Sequence, residues 1–170
     1  MTRCVSALKE WTGKTCSTII YDSTVDEFTD QGLFEKIKGK RNVAMIATTT
    51  DGDVFGGFFN VAVTEQDEFF MDPNIFIFSF ESHGRCETPK KFILKAEVRR
   101  YKFVYFFNDV PSGWFVNIGG YPGYFYLGNE KSGTFCYDLS REFEGIGDNT
   151  LTGNNRENFT CTRIVAIQLS

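Results

Sequence analysis

The stretch Ile75-Phe76-Ile77-Phe78-Ser79-Phe80 constrains the fold more than any other part of this chain. It is nearly continuous in apolar, strand-favouring residues, and a strand with both faces apolar must be covered on both sides. Four more segments carry the same aromatic signature: Tyr101 to Phe107, Trp114 to Ile118, Tyr124 to Leu127 and Thr134 to Leu139. They reflect 19 Phe, 7 Tyr and 2 Trp in 170 residues. Rings of this kind pack well on pleated surfaces, so the fold is expected to be rich in strand. Most of them are assigned to inter-sheet packing, with some of the Tyr and Trp facing outward.

The rest of the chain reads as the partners such strands need. Thr18 to Tyr21, Asn42 to Thr48, Val54 to Val63 and Arg163 to Leu169 are further strands. Asp51-Gly52 is a hairpin signal, and Gly56-Gly57 inside the return strand marks a bulge or a close backbone approach. Val5, Leu8 and Trp11 share a face of a short helix that Gly13 ends. A second helix is expected after a capping box at Thr24 to Glu27, carrying Phe28, Phe34 and Ile37, weakened by Gly32 and stopped by Gly39. Glu142 to Asn158 reads as a long surface loop. About nine strands with short connections predict a mainly β (α+β) fold, a two-layer antiparallel β-sandwich flanked by two or three short helices, as one domain over residues 1–170. Its interior is expected to be filled by side chains, leaving the outer surface for biology.

Composition excludes several classes. Eighteen Lys plus Arg against 22 Asp plus Glu give a net charge of −4, which is wrong for a general nucleic-acid binder. The first residues lack an apolar run of signal-peptide length, and no segment approaches the roughly 20 apolar residues of a membrane span, so a cytoplasmic protein without membrane insertion is expected. A single His rules out a His-pair metal site. Five cysteines at 4, 16, 86, 136 and 161 form no C-x-x-C, so free thiols are expected, with no zinc and no cofactor. Asn158-Phe159-Thr160 matches a glycosylation sequon by chance.

Two segments carry candidate chemistry. Glu81 to Glu87 gathers two carboxylates, His83, Arg85 and Cys86 in seven residues. A His or Arg beside a thiol can lower its pKa, so Cys86 with His83 is a candidate nucleophile or redox pair, against the simpler reading of a solvated loop without catalysis. Charge is also segregated. No Lys or Arg occurs between Arg41 and Arg85, where Asp51, Asp53, Glu65, Asp67, Glu68, Asp72 and Glu81 are acidic. Arg85, Lys90, Lys91, Lys95, Arg99, Arg100 and Lys102 follow against Glu87 and Glu97. This basic stretch is a candidate surface for a protein partner, or for phosphate or anionic lipid, against alternating solvated faces.

Read in order, Ile19-Ile20-Tyr21-Asp22-Ser23, a helix with spaced Phe and Ile, Asn42 to Ile46, and then Asp51-Gly52-Asp53-Val54-Phe55-Gly56-Gly57-Phe58 resemble the TLDc domain family. Asp51, Gly52, Val54, Phe55 and Gly56 match the centre of its "D-x-x-G-x-V-F-G-x-Y" motif. Phe76 to Phe80 is similar to its "FLFSL" strand, and Ile118-Gly119-Gly120 to its glycine run. The resemblance covers nearly the whole chain and implies two antiparallel sheets packed as a sandwich among short helices. It also implies protection from oxidative stress and binding and regulation of the vacuolar proton-pumping ATPase; the chain is expected to be a monomer with no cofactor. No reaction is securely assigned to the family. Asp148 to Leu151 and Val165 to Ile167 stand where the family carries glutamates, so an activity resting on those glutamates does not transfer.

Overall fold

In a computed structural model that describes residues 2–108, 113–129 and 134–170, the strands form two six-stranded sheets. The elements in chain order are α1 (Thr2–Thr12), β1 (Ser17–Asp22), α2 (Asp30–Ile37), β2 (Val43–Thr49), β3 (Val54–Phe59), β4 (Phe69–Met71), β5 (Phe76–Glu81), β6 (Lys90–Ile93), β7 (Phe103–Phe106), β8 (Trp114–Ile118), β9 (Tyr124–Gly128), β10 (Thr134–Tyr137), β11 (Asn158–Phe159) and β12 (Cys161–Leu169). The first sheet runs β1-β12-β2-β3-β5-β6 and the second β11-β10-β9-β8-β7-β4. All pairings are antiparallel, as the short connections predict.

The first sheet is buried on both faces, and strand alternation sorts its residues between two cores. Val43, Met45 and Ala47 of β2, Phe55 and Phe59 of β3, and Ile164 and Ala166 of β12 face the second sheet, where they meet Ile118, Phe125, Leu127 and Cys136. Their alternates Ala44, Ile46, Phe58, Val165, Ile167 and Leu169 face α1. Helix α1 places Leu8 in this outer core, fully buried, and lays Trp11 parallel to Phe80 with ring centroids 5.7 Å apart. Burying Leu8 contributes about 1.5–3 kcal/mol. The Phe-rich strand β5 thus lies between two layers: Ile77 joins the inter-sheet core, while Phe76 and Phe78 join the outer one.

Gly57 shows why a glycine pair interrupts β3. A Cβ there would lie 2.9 Å from Ile118 Cγ2 of the opposite sheet, and one at Gly56 would lie 2.8 Å from the Phe78 ring. Neighbours crowd both positions, which is the close approach the sequence suggests.

Four local expectations change. The second helix starts at Asp30, and Thr29, not Thr24, caps it by accepting from the Gly32 N–H at 3.0 Å. Asp22 takes both the Thr24 N–H and hydroxyl, which closes residues 22–26 into a turn instead. Phe28 therefore precedes the helix and packs on Phe115. Gly32 fits a constraint, since a Cβ there would lie 2.6 Å from the Glu27 carbonyl oxygen. The long 142–158 segment is not merely a surface loop: Phe143, Ile146 and Leu151 are buried in the inter-sheet core. Finally, β4, β6 and β11 raise the strand number above the nine expected; all three are edge strands of two to four residues.

Candidate functional site

Three loops meet at one end of the sandwich: the β2–β3 hairpin with Asp51-Gly52-Asp53, the 81–87 segment after β5, and the 147–153 part of the long loop. The hairpin is built by Gly52, whose φ of +87° lies in the left-handed region and whose N–H donates to the Thr49 carbonyl at 3.0 Å. The turn leaves Asp53 buried. A buried carboxylate needs a counter-charge, and Arg85 supplies it through a direct ion pair. The same guanidinium donates from Nε to the Thr150 carbonyl at 3.1 Å and from Nη2 to the Leu151 carbonyl at 3.0 Å. One planar fork therefore binds all three loops. The Arg85 side chain is 27% exposed.

His83 belongs to the same buttress. Its backbone φ is +50°, and its ring returns across the hairpin. Nε2 lies 2.8 Å from the Asp51 carbonyl oxygen and 3.5 Å from Asp53 Oδ1. A carbonyl oxygen can only accept, so Nε2 carries the proton and donates. Cys86 faces another partner: Ser82 Oγ lies 3.4 Å from Cys86 Sγ and accepts the Cys86 N–H at 3.1 Å. No hydrogen bond joins His83 to Cys86. Glu81, exposed at the start of the loop, accepts the Ser82 and His83 N–H groups, and these bonds hold its carboxyl below the usual range. The residue cluster conspicuous in the sequence is thus spent on closing the loop and fastening it to its neighbours.

The basic stretch is divided. Lys102 is 1% exposed and is not a surface cation: its ammonium lies 3.0 Å from Glu142 Oε2 and donates to the carbonyls of Gly120 and Tyr121. Burial lowers its pKa, and Glu142 opposes that shift. Lys95 Nζ donates to the Ser140 carbonyl at 2.9 Å, Lys91 Nζ to the Trp11 carbonyl at 3.2 Å, and Arg99 Nε to the Leu94 carbonyl at 3.3 Å. Arg85 is used as described above. Lys90 lies over the Phe92 ring and Arg100 over the Tyr101 ring, and both are exposed. Sequence spacing could not separate these roles, because the partners that draw most of these cations inward lie far away in the chain: Ser140 for Lys95, Glu142 for Lys102 and Trp11 for Lys91.

The motif glycines Gly119 and Gly120 end β8. Both have positive φ, and a Cβ at Gly120 would lie 2.7 Å from Phe103 Cζ. Beside them the aromatic strands behave unlike the core filling assigned to most of them. Phe106, Phe115 and Phe125 are buried between the sheets, whereas Tyr105, Phe107, Trp114, Tyr124, Tyr126, Phe135 and Tyr137 form a linked set of rings outside that core. The sequence signal for this second surface is the alternation in Tyr124-Phe125-Tyr126, with Tyr on one face and Phe on the other.

Among the described residues, no helix is long and apolar enough to cross a membrane, and no group of three His, Cys, Asp or Glu is placed to hold a metal ion. The family model described as the TLDc domain matches residues 3–164. No curated protein matches the chain.

Proposed function

Because this chain belongs to the TLDc domain family, we infer that residues 1–170 form one interaction domain, acting by contact with a protein partner and without catalytic machinery of its own. The partner proposed is the peripheral sector of a vacuolar proton-pumping ATPase, and the setting is protection from oxidative stress in the cytoplasm. The observation that carries this reading is the family match over nearly the whole chain. The structure adds support at the 81–87 loop, where the sequence gathers candidate chemistry. His83 donates to Asp51, Arg85 neutralises Asp53, and Cys86 rests against Ser82. A nucleophile needs a base within hydrogen-bond reach, and here each group is engaged elsewhere.

Contact would use the exposed surface, where Lys90 and Arg100 remain accessible on a chain of net negative charge. Rim charges of this kind steer encounter more than they supply affinity. The test is recovery of pump subunits with the tagged full chain from native lysate, followed by their identification. Peripheral-sector subunits in the eluate support the reading; an eluate without any pump subunit contradicts it.

A further inference from the structure

The outer face of the second sheet carries a trough whose shape follows from strand register. Across β4, β7, β8 and β9 the Cα partners are Phe69, Tyr105, Asn117 and Tyr126 in one row. Asn117 is the one small side chain in that row. Just past β8 the turn closes over Gly119, where a Cβ would lie 2.8 Å from the Gly123 carbonyl oxygen, while Phe103 and Tyr124 flank the trough on either side. Strand β8 therefore offers a low floor at Asn117 between two aromatic walls. The walls stand two strand spacings apart, about 9.5 Å. Phe107 closes one end and Tyr121, 72% exposed, stands at the other, enclosing about 220 Å³.

That width and chemistry select a ligand. A cation attracted to a ring face lies within about 6 Å of its centroid, so one held midway can engage both walls together. No lining residue is basic. The rim is acidic: Asp67 accepts a hydrogen bond from the Tyr105 hydroxyl at 3.2 Å, and Glu68 follows it. Burial pushes the Tyr124 phenol up to about 12, so this wall stays uncharged near neutral pH. The same face already takes a cation of its own. The Arg156 guanidinium lies 4.6 Å over Tyr137, which stacks on Tyr124 at 5.4 Å, but Asp138 neutralises that guanidinium. The floor offers no full charge to bond a primary ammonium: Asn117 is neutral, and its Oδ1 already accepts the Gly120 N–H at 3.2 Å. A methylated ammonium, which needs no hydrogen bonds, suits such a floor better.

We propose that the trough over Asn117, walled by Tyr105, Phe103, Tyr124 and Tyr126, binds the quaternary ammonium group of a small organic cation. This does not depend on the pump-binding reading and fails or stands separately.

The test titrates the full chain with choline, with its uncharged isostere 3,3-dimethyl-1-butanol, and with phosphocholine, following the amide resonances of Gly120 and of the Asn117 side chain. Choline is expected to shift both resonances saturably and to bind about tenfold tighter than the isostere, the margin a desolvated cation–π contact supplies. Phosphocholine is expected to bind more weakly than choline, because its phosphate meets Asp67 and Glu68. Tyr105→Leu, which keeps an apolar side chain but removes a ring face, is expected to weaken choline by a similar factor. Equal binding of the isostere would overturn the proposal, as would phosphocholine binding tighter than choline, or a lack of saturable shifts. Those comparisons use the unaltered protein, so they decide the matter even where the variant folds poorly.

Discussion

Arg85 and Asp53 are joined by a direct ion pair across 32 positions of chain, and that pair holds the hairpin of the family motif against two other loops. Asp53 is buried, and Arg85, partly exposed, also donates to two carbonyls. Removing Arg85 leaves the Asp53 carboxylate unpaired in a poorly solvated place. Arg85→Ala is expected to destabilise the fold by about 3–5 kcal/mol, read from urea denaturation. A loss no larger than that of an ordinary surface substitution would show that the pair is not structural.

The Lys102 and Glu142 pair makes a second, sharper case. Both residues are buried, and Glu142 Oε2 accepts no well-aligned hydrogen bond although Lys102 Nζ is 3.0 Å away. Lys102→Met alone strands a carboxylate and should cost several kcal/mol, while adding Glu142→Gln removes the stranded charge. The double variant is expected to recover at least half of the loss. Additive losses in the double-mutant cycle would contradict this.

Acid stability has a named contributor in Asp22. Its bonds to Arg163, with help from Thr24, hold its carboxyl at about 2, below the ordinary 3.8. A carboxyl depressed in the folded state contributes stability above the unfolded value, and that contribution is lost as pH falls through the folded value. The window is therefore about pH 4 down to 2, and the contribution is about 1–2 kcal/mol after allowance for screening of the partly exposed Arg163. Asp22→Asn should lower the urea midpoint at pH 6, and the difference from wild type should shrink towards pH 2. A difference unchanged by pH would assign the loss to packing.

Thiol reactivity should follow burial. Cys136 and Cys161 are buried, and desolvation pushes both thiols up to about 12. Cys16 is exposed. A thiol-specific reagent at pH 8 is expected to label Cys16 first and to reach Cys136 and Cys161 only when the protein unfolds. Rapid native labelling of either buried thiol would contradict the packing between the two sheets.

The sandwich was legible because alternation in β2 and β12 and the two-faced β5 need only local pattern and burial to be read. What was not legible depends on distant partners. Lys102 looks like its basic neighbours until Glu142 and the Gly120 carbonyl arrive beside it. Arg85 and His83 resemble a reactive cluster until the hairpin claims them. The capping box at Thr24 failed because Asp22 competes for the same hydroxyl and N–H. The aromatic trough was hidden for another reason. Phe in a strand reads as core, and only the pairing of Asn117 with Tyr105 and Tyr126 shows that a low floor separates two walls.

The claim that this TLDc-family chain works through its outer surface is tested most directly by measuring its equilibrium association with the isolated peripheral sector of a vacuolar proton pump, wild type beside the His83→Ala/Cys86→Ser double variant. Saturable binding that the double variant retains, and that salt weakens as screened surface charges require, is the predicted result. No association, or association lost with those two loop residues, would contradict it.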